Sequence, residues 1–105
     1  MKTTITSHKT NVLDAGFGIK TGKSRAIKAI ETAISPILEN KTLENASIFS
    51  LKIVYGTKEI TIEELKIIND YMQEKLGNTY VISIHLSENK RLRNKLSVTM
   101  EMCSA

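Results

Sequence analysis

The sequence predicts an α+β fold, a two-layer sandwich in which two helices cover one face of a four-stranded sheet, in the chain order β-α-β-α-β-β. Three observations lead there. Two segments repeat apolar residues at helical spacing, and three others alternate with a period of two. The helices also separate successive strands, which favours right-handed crossovers with both helices on one side of a shared sheet. At 105 residues, with 41% hydrophobic and 25% charged side chains, the chain suits one hydrophobic core. Residues 1–105 are read as a single domain, with 1–9 irregular or frayed.

The first strand, Thr10 to Asp14, rests on Val12 and Leu13 and runs into glycines. From Lys23 to Leu38, Ala26, Ile27, Ile30, Ala33, Ile34, Ile37 and Leu38 fall on one helical face, and Pro36 should end the regular helix near Ser35. Phe49, Leu51, Ile53 and Tyr55 then alternate with polar residues as a strand. Thr61-Ile62-Glu63-Glu64 reads as a capping box. It opens a helix with Ile62, Leu65, Ile68, Met72 and Leu76 inward, and Gly77 supplies a left-handed stop. Tyr80, Ile82, Ile84 and Leu86 form the next strand, and Leu96, Val98, Met100 and Met102 the last. The segment Ser87 to Lys95 between them has the length of a hairpin connection. One face of the sheet should stay open to water or to a partner.

Gly16-Phe17-Gly18-Ile19-Lys20-Thr21-Gly22-Lys23-Ser24 invites comparison with a phosphate-binding loop, which needs four residues between its first glycine and Gly-Lys-Ser. Here Gly18 leaves three and Gly16 leaves five. The dinucleotide pattern fails by one residue as well. Gly16, Gly18 and Gly22 are therefore read as a structural turn that needs positive φ and close packing before a helix, and no cofactor is expected.

Lys90, Arg91, Arg93 and Lys95 form a basic loop without an acid among them. Such a cluster can grip phosphates or an acidic protein surface. A solvated loop that keeps an edge strand soluble explains it more simply. His8 and His85 have no companions at metal-ligand spacing, and no catalytic carboxylate pair or Ser, His and Asp arrangement stands out. Cys103 is the only cysteine, which suits a reducing compartment. No apolar run approaches the roughly 20 residues that cross a bilayer. A cytoplasmic protein with no membrane partner is the expectation.

The ordered motifs resemble those of a known family. Gly16-Phe17-Gly18 with Gly22, Arg25 and Ala26 is similar to the Gly-x-Gly-x-x-x-Gly-x-x-Arg-Ala stretch that opens the C-terminal domain of the bacterial tubulin-like division protein FtsZ. Ala33-Ile34-Ser35-Pro36-Ile37-Leu38 resembles that domain's first helix end, and Leu43-Glu44-Asn45-Ala46 its following turn. Gly56 with Ile60-Thr61-Ile62-Glu63-Glu64-Leu65 resembles the start of its second helix, and Leu96-Ser97-Val98-Thr99-Met100 its final strand. The match runs in order from Val12 to Met102.

The resemblance implies a four-stranded sheet backed by helices, and it places the family's GTP-binding domain upstream. The family's acidic hydrolytic loop would fall at or before Met1 and Lys2, where this chain has Lys2, Thr3 and Thr4, so no GTPase site of its own is expected. Three departures bear on function. The family's acidic loop corresponds to Asn89-Lys90-Arg91-Leu92-Arg93-Asn94, with its charge reversed. Glu101 and His85 make the open face of the sheet more polar, and the family's C-terminal recruiting peptide has no counterpart before Ala105. The leading expectation is a non-catalytic protein-interaction domain that binds itself, as a homo-oligomer, or an FtsZ-like polymer. A small basic nucleic-acid-binding module ranks second, and an enzyme with a site shared between subunits third.

Overall fold

The computed structural model describes residues 11–40, 48–77 and 81–104. The expectations for 1–9, His8, the Leu43 to Ala46 turn and Tyr80 lie outside the described residues. Four strands, β1 (Asn11–Lys20), β2 (Ile48–Tyr55), β3 (Val81–Glu88) and β4 (Leu96–Ser104), form one sheet with two helices, α1 (Arg25–Leu38) and α2 (Ile62–Leu76). The architecture is the α+β sandwich read from the sequence.

The strand order is β1-β4-β2-β3. The last strand enters the middle of the sheet, antiparallel to both β1 and β2, while β2 and β3 are parallel. Leu96, Val98, Met100 and Met102 are accordingly fully buried beneath α1, with Phe49, Leu51 and Ile53 beside them. Ala26, Ala29, Ile30, Ala33, Ile34 and Ile37 close the core from α1, and Ile68 and Met72 from α2.

Four local expectations are corrected. First, β1 does not stop at Asp14 but runs to Lys20, with its register shifting between Val12 and Asp14. Gly16 and Gly18 are therefore strand residues and not part of a turn. They pair with Met100 and Val98 on the helix-bearing face, where a Cβ on either would fall on the carbonyl of Ala33 or Ala29. Close packing is why they are glycines; of the three, only Gly22, at φ 96°, has the positive φ of a turn.

Second, α1 passes through Pro36 to Leu38. The complete burial of Ile37 holds the last turn on the sheet, although proline removes one backbone donor. Third, Ile62 is 86% exposed, because the first helical residue of α2 lies beyond the edge of the core. Fourth, Ser87 to Lys95 is no hairpin. It crosses the end of β2 to reach β4, through a short 3-10 turn (Lys90–Leu92). The basic loop therefore leads from the outer strand β3 to the inner strand β4.

α2 has the ends that its sequence specifies. The Thr61 hydroxyl accepts from the Glu64 amide at 3.0 Å, and a Glu64 carboxylate oxygen accepts from the Thr61 amide at 3.0 Å. Gly77, at φ 83°, donates its N–H to the Gln73 carbonyl at 2.9 Å.

Candidate interaction surface

The C-terminal ends of the three mutually parallel strands β1, β2 and β3 lie at one end of the sheet. The N-termini of both helices and the β3–β4 crossover lie there too. One fully buried cation organises this end. Arg25, in the first turn of α1, donates from Nε and Nη2 to the two carboxylate oxygens of Glu64, at 2.7 and 2.9 Å. Its Nη1 donates to the Asn94 carbonyl at 3.0 Å, and Nη2 reaches the carbonyls of Lys58 and Glu59, each at 3.2 Å. A guanidinium suits this task because its planar fork meets a carboxylate with two parallel bonds and has donors left over. One side chain thus ties α1 to α2, to the β2–α2 loop and to the β3–β4 crossover.

Glu64 serves the cap and the ion pair together. The Arg25 bond holds its carboxyl below the ordinary 4.5 against the opposing effect of burial, with the Thr61 amide bond helping. Because the folded-state value is depressed, this stabilisation is complete above about pH 4.5 and is lost as pH falls through the folded-state value. Thermal melts from about pH 6 down to about pH 3 should therefore show a falling Tm that Glu64→Gln makes shallower. An equally steep fall in the variant would remove this pair as the cause.

The crossover is clamped a second time. A Cβ on Gly56 would fall on the backbone of Arg93, so the two chain segments are in direct contact. The Lys58 N–H donates to the Arg93 carbonyl at 3.1 Å, and the Asn89 N–H to the Tyr55 carbonyl at 2.8 Å. Arg93 has φ 55° and ψ −109°, a conformation that a side chain rarely adopts, and it is held there by these contacts.

Lys90, Arg91, Arg93 and Lys95 are all exposed, and the structure brings them together on this clamped loop. A shallow depression of about 450 Å³ is lined by Thr21, Arg91, Leu92, Arg93, Asn94 and Lys95. The Thr21 hydroxyl donates to the Asn94 carbonyl at 3.3 Å, joining the β1–α1 loop to the crossover. Lys20, Lys23 and Lys58 stand on the adjoining segments and widen the basic end, with Glu59, Glu63 and Glu88 as its exposed acids. Four of these cations are legible in the sequence as a cluster, whereas Arg25 and the three added lysines are brought to them only by the fold. The capping-box glutamate was the one local signal that a buried cation had an anion waiting.

The open face is polar at its centre, as Glu101 and His85 imply. Lys52 stands between Thr99 and His85 in the register, and Glu101 between Ala15 and Ser50. Phe17 and Ile19 lie beside this row on β1 and remain 54% and 38% exposed. Among the described residues no group of three His, Cys, Asp or Glu side chains is placed to hold a metal ion, and no helix is long and apolar enough to cross a membrane.

No family model matches the sequence, and no curated protein matches it either. Its fold does match solved structures. A point mutant of FtsZ from M. jannaschii superposes with a TM-score of 0.72 at 18% identity, over 87% of this chain and 27% of the other. An empty FtsZ dimer from the same organism gives 0.71 at 18% identity, over 86% and 26%. The chain thus spans about a quarter of the length of the structures it matches. At this identity what is shared is the backbone arrangement, and the ordered motifs between Val12 and Met102 name the portion concerned; the fold of this chain is that of the FtsZ C-terminal domain.

Proposed function

We propose that the chain is a protein-interaction domain without chemistry of its own, which binds a tubulin-like polymer or a further copy of itself and so modulates assembly. The observation that carries this reading is a basic loop, rigidly held by Arg25 and Gly56, at the end of an FtsZ-type domain. One of the matched FtsZ structures is a dimer, which supports protein partners for the fold. The reversed loop charge points to an acidic surface on the partner, because complementary charge steers encounter and like charge repels. Glu59, Glu63 and Glu88 break the basic field, which favours a protein surface over a nucleic-acid backbone.

Sedimentation of FtsZ filaments with the purified chain tests this. The chain should co-pellet and change the polymer mass. Charge reversal at Lys90, Arg91 and Lys95, leaving the strained Arg93 in place, should weaken binding by about tenfold or more and flatten its salt dependence. No co-pelleting and no change in polymer mass would remove the modulator reading.

A further inference from the structure

The two outer edges of the sheet are not equivalent. On β1 the helix-bearing side is glycine covered by α1, and the exposed apolar residues Phe17 and Ile19 face the other way. On β3, Ile82, Ile84 and Leu86 continue the helix-side row of Phe49, Leu51 and Ile53, yet Ile84 and Leu86 remain 42% and 48% exposed. From Ile82 to Ser87 this edge has no proline and no Asp, Glu, Lys or Arg, the residues by which edge strands usually resist pairing. Alternate residues of such an edge direct their N–H and C=O groups away from the sheet.

We infer that β3 pairs with β3 of a second copy, antiparallel about a two-fold axis through Ile84, joining two four-stranded sheets into one. This deepens the self-association reading and rests on it. A continuous sheet requires opposed residues to share a face. The register centred on Ile84 sets Ile84 against its own copy and Ile82 against Leu86 on the helix side. On the open face it sets Ser83 against His85, a hydroxyl against an imidazole.

The charge layout selects this arrangement. The loop at Lys90 begins six residues beyond Ile84, about 20 Å along a strand. Antiparallel pairing therefore places the two basic loops at opposite ends of the joint, about 40 Å apart and beyond several Debye lengths. A parallel joint would bring them together. A joint between β3 and β1 of another copy that keeps both pairs of helices on one side sets the exposed apolar rows on opposite faces, so Ile84 and Leu86 would gain no apolar partner from Phe17 or Ile19.

Sedimentation velocity of the whole chain should show a reversible monomer–dimer equilibrium, weakened about tenfold or more by Leu86→Lys. Leu86 is half exposed, so circular dichroism should show this variant folded. Under mild oxidation Ile84→Cys should give one disulfide-linked dimer, since an antiparallel self-opposed position brings Cβ atoms within bonding reach. Phe17→Cys should cross-link far more slowly, and the wild-type chain, with Cys103 buried, not at all. Three outcomes overturn the inference: a monomer at every concentration, equal cross-linking from Ile84→Cys and Phe17→Cys, or a ladder of higher oligomers. A monomer whose outward-facing β3 amides resist exchange would assign the edge to another segment of the chain. If a strictly monomeric chain still co-pellets with FtsZ filaments, the dimer fails and polymer binding stands; if the chain dimerises but never co-pellets, polymer binding fails and the dimer stands.

Discussion

Gly16→Ala should destabilise the domain by roughly 3 kcal/mol, lowering Tm by about 15 °C. The added methyl would meet the Ala33 carbonyl and lie 2.9 Å from Cγ of Pro36. A backbone carbonyl in mid-helix has no rotamer by which to yield, so the turn of α1 above it must rise from the sheet. Ile30, Ile34 and Ile37, all fully buried, lose contact as it does. Gly18→Ala strikes the Ala29 carbonyl one turn earlier, with Cβ of Thr32 at 3.0 Å. The double variant should cost less than the sum of the two, because one displacement of α1 relieves both clashes.

Gly22→Ala is the control. At φ 96° with open space around it, it meets only backbone strain, about 1 kcal/mol. Urea denaturation of the three variants checks the ranking. If Gly22→Ala proved the most damaging, the glycines of β1 would not be there to admit a helix.

These glycines also show where sequence reading stops. A glycine pair after a short apolar run looks like a turn, since local propensity records that glycine is rare in strands. Here the absent side chain answers a neighbour far along the chain, and only the packed structure reveals that neighbour. The strand order escaped for the same reason. Alternation identifies β2, β3 and β4 and orients their faces, but it is silent about which strand lies between which, so a crossover passed for a hairpin. The features read correctly are local ones. Thr61 and Glu64 are three residues apart and complete a hydrogen-bond pair within one turn, and Gly77 acts on its own carbonyl neighbours. The ordered motifs reached further than propensity because they encode the whole arrangement, Arg25 included, without saying what Arg25 does.

Arg25→Ala should destabilise the domain by roughly 3–5 kcal/mol, the usual consequence of removing one partner from a buried ion pair. Three carbonyls, of Lys58, Glu59 and Asn94, lose a charged donor at once, and bonds to a charged group are worth more than neutral ones. The Glu64 side chain is 15% exposed and keeps its bond to the Thr61 amide, so solvent recovers part of its loss. The damage should therefore centre on the loops more than on α2. Arg25→Lys should recover only part of the stability, because a single ammonium cannot span the carboxylate and three divergent carbonyls. A double-mutant cycle with Glu64→Gln isolates the pair from the carbonyl bonds. Amide exchange gives the location: the Lys58 and Lys95 N–H groups, bonded to Arg93 and Leu92, should lose protection before those of β4. The same variant should bind FtsZ filaments less well than its folded fraction allows, since the loop of Lys90 to Lys95 would no longer be held in one shape. Stability within about 1 kcal/mol of wild type would mean that the loops are fixed by Gly56 and Arg93 alone.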